Sequence, residues 1–99
     1  MITHIVMWRL KASDAEGRAR ATAEIREALE GLIPTISEIG SLRVHANSLP
    51  ERGEYDVVMV SEFATEADLD AYQVHPDHQA VVQLIRDRVV ERAAIDFEA

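Results

Sequence analysis

Ile2-Thr3-His4-Ile5-Val6-Met7-Trp8-Arg9-Leu10-Lys11 carries more information about architecture than any other run in this chain. Alternation puts Ile2, His4, Val6, Trp8 and Leu10 on one side of a strand over residues 2–11, and Thr3, Ile5, Met7, Arg9 and Lys11 on the other. Both sides are apolar at their centres, because Ile5 and Met7 oppose Val6 and Trp8. A sheet with one wet face alternates cleanly instead. The run from Tyr55 to Phe63 repeats the pattern, with Val57, Val58, Met59 and Val60 consecutive. Strands of this kind belong in a sheet that is covered on both faces.

The segments around these two strands complete the topology. Ser13, with Glu16 three residues later, has the pattern of a capping box. Ala21, Ile25, Ala28, Leu29 and Leu32 then form one helical stripe, Glu16 and Arg20 make an i,i+4 pair, and Pro34 ends the helix. Residues 41–49 read as a second, less apolar strand, and Pro50 to Glu54 as a turn. Thr65 caps a short helix over 66–74, Pro76 opens another over 76–88, and residues 89–98 close the chain as a fourth strand. The order β-α-β-β-α-β, with its second helical region split at His75-Pro76, predicts a single α+β domain over residues 1–99. Its arrangement is ferredoxin-like, an antiparallel sheet with helices on one face. Those helices leave the other face bare. A second copy of the chain is the simplest cover, so a homodimer closing into an α/β barrel is expected.

Eighteen acidic residues against ten basic ones give a net charge of −8. That balance argues against nucleic acid and against anionic membrane surfaces as partners. The chain has no cysteine, which excludes disulfides, thiol nucleophiles and cysteine-held metals. It shows neither a signal-peptide pattern nor an apolar run that could span a bilayer, so a cytoplasmic protein is expected. Glycine-rich phosphate loops, nucleophile elbows and dinucleotide fingerprints are also lacking, and no cofactor is expected.

The chemistry concentrates in Tyr72-Gln73-Val74-His75-Pro76-Asp77-His78, which holds two of the four histidines and one of the two tyrosines. His78 shares a helix face with Val81, Val82 and Ile85, so it points inward. Tyr72 shares a face with Leu69, and His4 lies between Ile2 and Val6 on its strand face. Three groups able to hold or move a proton thus converge on the interior. Buried without partners, each costs about 1–3 kcal/mol, so they satisfy one another, or a bound ligand such as a small apolar or carbonyl compound, or water. Separately, each also has a plain structural reading: a core tyrosine, a satisfied core histidine, a packed edge residue. His75 suits a helix N-cap. His75 and His78 have a usable metal spacing that His4, Asp77 or Asp96 would have to complete. With no HExxH-type signature, a catalytic metal is not expected.

Taken together, the opening strand Ile2 to Lys11, the strand Tyr55 to Phe63 and the element Tyr72-x-x-His75-Pro76-x-His78 resemble the stress-responsive A/B barrel (Dabb) domain. The resemblance spans nearly the whole chain. It implies a ferredoxin-like fold, an obligate homodimer and a central barrel, in a family described chiefly as stress-responsive. One enzymatic branch, which includes plant olivetolic acid cyclase, is similar at the key positions. That similarity implies His78 as general base, Tyr72 as hydrogen-bond donor to a developing enolate oxygen, and His4 as the group that orients or polarises a carbonyl. Three readings stay open: a homodimer with a small-molecule pocket, a cofactor-free cyclase or lyase (or, less well matched, a monooxygenase), and a purely structural or interaction dimer.

Overall fold

The computed structural model describes residues 1–99. Eight elements follow one another: β1 (Ile2–Leu10), α1 (Ala15–Glu30), β2 (Ser41–Ala46), a 3-10 turn (Pro50–Arg52), β3 (Val57–Phe63), α2 (Glu66–Val74), α3 (Pro76–Arg86) and β4 (Val89–Glu98). The strands form one sheet in the order β2-β3-β1-β4, and every pairing is antiparallel. This is the ferredoxin-like α+β architecture that the order of elements predicted.

Element ends follow local chemistry. Asp14, not Ser13, caps α1: its backbone is extended and its carboxylate accepts the Gly17 N–H at 2.8 Å. The Ser13–Glu16 capping box therefore does not form. A carboxylate satisfies an orphan N–H and also complements the positive end of the helix dipole. Gly17 permits this cap, since a Cβ there would sit 2.6 Å from the Asp14 oxygen. Glu16 still pairs with Arg20, at 3.4 Å. The helix stops at Glu30, ahead of Pro34, with Gly31 donating to the Glu27 carbonyl. Near the other end of the sheet, β2 stops at Ala46 and β3 starts at Val57. There Asn47 ties the loop together, donating to the Tyr55 carbonyl and accepting from the Leu49 N–H, both at 2.8 Å. Replacing Asp14 with Ala should cost about 1 kcal/mol, a fall in Tm of about 4–8 °C for a domain of this size, measured at fixed protein concentration.

The core lies between the helices and one sheet face. Val6, Trp8, Val44, Val57, Met59 and Phe63 pack against Ile25, Leu29, Leu69, Tyr72 and Ile85, and all of them are buried. The opposite face carries an apolar row that no helix covers. Ile5 stands between Val60 and Ile95, Met7 between Val58 and Ala93, and Phe97 beside Thr3. Ile95 remains 60% exposed and Phe97 43%. No helix is long and apolar enough to cross a membrane.

Candidate functional site

The break between α2 and α3 builds the site. Pro76 has no N–H to offer the Tyr72 carbonyl, which accepts from the His75 N–H instead, at 3.2 Å. His75 is extended and serves as the N-cap of α3, its Nδ1 accepting the Asp77 N–H at 3.1 Å. In an unbroken helix that N–H would have served the Gln73 carbonyl. Gln73 O is thereby released, and it accepts from His78 Nδ1 at 3.1 Å and from the Gln79 amide at 2.6 Å.

This wiring fixes the tautomer of His78. A carbonyl only accepts, so Nδ1 carries the proton and Nε2 presents a lone pair. No protein group bonds to Nε2, yet no sealed side-chain nitrogen or oxygen in the molecule lacks a partner. Nε2 is therefore accessible, although the residue is only 9% exposed. Burial pushes the imidazole below its ordinary pKa of 6.5; the Gln73 carbonyl opposes that shift, and positive charge on His4, Arg92 and His75, in that order, adds to it. The folded protein thus binds this proton less readily than the unfolded chain. Between the folded pKa and 6.5 the unfolded state holds more protons, so stability rises with pH across that window and is fully present above it. Acidification from pH 7 should lower Tm, and His78→Gln should lose less Tm over the same range when both are followed by thermal denaturation.

Tyr72 is fully buried. Its ring centroid lies 4.2 Å from that of His78 and 5.0 Å from that of Phe63. The hydroxyl donates to Met59 Sδ at 3.8 Å and to neither imidazole. A thioether is a weak acceptor, and burial raises the phenol pKa. His4 projects from β1 toward the helices, its ring 6.4 Å from that of Tyr72 in an edge-on arrangement. Its Nδ1 bonds to Asp96 Oδ1, and its carbonyl accepts from the buried Ser61 hydroxyl.

His4, Tyr72 and His78 line one cavity of about 530 Å³. Val6, Trp8, Leu29, Val82 and Ile85 give it an apolar wall. Gln73, Gln79, Arg86, Glu91 and Arg92 supply polar groups. The structure therefore brings together all three groups singled out in the sequence, with the Tyr72 hydroxyl turned to sulfur. His75 is a cap at the edge of the site, and no three His, Asp or Glu side chains converge as metal ligands anywhere in the chain. Sequence reasoning missed the Gln73 carbonyl, the pairing of Asp96 with His4, and the two arginines.

Residues 2–99 match the family model described as the Stress responsive A/B Barrel Domain. No curated protein matches the sequence. Among solved structures, a dimeric protein of unknown function and ferredoxin-like fold from Bacteroides fragilis is 28% identical. It superposes with a TM-score of 0.89 over 99% of this chain and 95% of its own. A dimeric ferredoxin-like protein of unknown function from Thermobifida fusca is also 28% identical, with a TM-score of 0.82 over 99% of this chain and 90% of its own. A Dabb family protein from Mesorhizobium loti shares 26% identity and a TM-score of 0.77 over 99% and 95% of the two chains.

Proposed function

We propose, since this chain belongs to the stress-responsive A/B barrel family, that it works as a homodimer whose subunits each bind a small carbonyl compound against the neutral imidazole of His78. One observation carries this reading. A tautomer held by a main-chain carbonyl leaves a single ring nitrogen as a proton acceptor, and His78 lines a cavity of mixed apolar and polar walls. A cavity of about 530 Å³ is within the usual range for small-molecule sites. The neutral form persists somewhat below pH 6.5, which suits withdrawal of a proton from carbon acidified by a neighbouring carbonyl. His4, anchored by Asp96, orients the ligand oxygen. The Tyr72 ring holds the His78 ring in place. Its hydroxyl can serve a ligand oxygen only by leaving the weak contact with Met59.

Two observations support the dimer. The outer sheet face is apolar and bare, and proteins 28% identical over nearly the whole chain are described as dimeric.

Trp8 is the only tryptophan, and it lines the cavity. Its fluorescence should change saturably on titration with 2-octanone. Filling the cavity with Val82→Phe should weaken that binding about tenfold or more, with no change in sedimentation. A flat titration in the wild type would refute the pocket reading.

A further inference from the structure

The cavity that this reading assigns to a carbonyl ligand has a charge opposite to that of the molecule. The chain carries −8 overall, yet two guanidiniums line the cavity, Arg86 in the last turn of α3 and Arg92 on β4. Both are exposed to solvent, and neither forms an ion pair, whereas Arg9, Arg20 and Arg88 do; Arg18, Arg26, Arg43 and Arg52 are likewise without one but line no part of this cavity. The one carboxylate in the lining, Glu91, is engaged elsewhere: it accepts from the Tyr55 hydroxyl at 2.8 Å and lies 3.6 Å from Arg9. Asp96 is held by His4. The cavity therefore keeps two guanidiniums, open to solvent and with no carboxylate partner, beside an apolar wall and a neutral imidazole.

Resting on the pocket reading, we propose that the natural ligand is a carboxylic acid. Its carboxylate seats on Arg86 and Arg92, and its apolar body lies along Val6, Trp8, Leu29 and Ile85. Guanidinium is the group best matched to a carboxylate, because its planar donors engage both oxygens. A neutral ligand of the same shape would leave both guanidiniums to water and gain nothing from them. Seating the acid also offsets the positive charge of Arg92, which acts on His78. Binding is therefore coupled to the imidazole, and an acid ligand strengthens its hold on a proton where an amide does not.

The test compares octanoate, octanamide and 2-octanone by Trp8 fluorescence, with the imidazole of His78 followed by NMR. Octanoate should bind the wild type about tenfold tighter than octanamide, and added salt should erode that preference. Arg86→Gln and Arg92→Gln should each weaken octanoate about five- to tenfold and leave octanamide unchanged, with Tm and sedimentation as in the wild type. The His78 titration should move to higher pH with octanoate alone. Equal binding of octanoate and octanamide, or arginine variants that bind octanoate as the wild type does, would overturn the proposal. If 2-octanone binds and the acid shows no advantage, only the carboxylate inference falls; if none of the three binds, the pocket reading falls with it.

Discussion

Ile5→Glu is expected to turn the dimer into a folded monomer. Ile5 sits at the centre of the outer face, with Val60 on one side and Ile95 on the other, and Met7 follows two residues on along the same strand. In a monomer this position is wet, so a glutamate there leaves the core on the far face undisturbed. In a two-fold dimer it is sealed against the partner sheet, and symmetry introduces every substitution twice. An unpaired carboxylate removed from water costs several kcal/mol even after relaxation, so two of them should weaken association by about a thousandfold or more. Flanking residues give little relief, since the strand neighbours of Ile5 are apolar. Val74 is an informative control: it is 75% exposed on α2, away from that face, and Val74→Glu should leave association unchanged. Sedimentation at micromolar concentration reads both variants. An Ile5→Glu protein that sediments as the wild-type dimer, or a wild type that is already a stable monomer near 11.1 kDa, would show that the bare face is covered some other way.

The two-faced strands, the split helix and the chain order were legible before any coordinates because each rests on a local pattern. Period-two alternation reveals a strand's two faces, and a proline after histidine marks a helix start. The inward aim of His4, Tyr72 and His78 followed from spacing alone. What remained hidden depends on register and on backbone. His4 meets Asp96 because β1 and β4 pair with those residues opposite each other, and no local feature of either strand encodes that register. The Gln73 carbonyl that fixes the His78 tautomer belongs to every residue type, so no side-chain pattern can flag it. Arg86 and Arg92 look like ordinary solvated charges until the cavity beside them is known. The cap of α1 moved from Ser13 to Asp14 because both are good caps and only helix phase chooses between them. Spacing placed the Tyr72 ring correctly but could not show its hydroxyl turned to Met59.

His78→Asn should all but remove proton exchange at carbon. A ketone such as 2-octanone, held in the cavity in deuterated buffer, exchanges its acidic hydrogens at a rate set by the base beside them. Asparagine keeps a polar group near the released Gln73 carbonyl and can donate to it as the imidazole does. It has no lone pair basic enough to accept a proton at neutral pH. A positioned general base is worth about 10²–10⁴ in rate, and that is the expected loss. Tyr72→Phe should cost far less, about tenfold, since it removes one hydroxyl that already lies on sulfur and leaves the ring against His78 intact. The pair of variants separates chemistry from architecture. If His78→Asn exchanged as fast as the wild type while still binding the ketone, the imidazole would be a core group and nothing more. If it lost both its dimer and its melting transition, the element His75-Pro76-x-His78 would be acting through folding. A loss of exchange with Tm and sedimentation preserved would mean that Nε2 of His78, which no protein group engages, takes the proton.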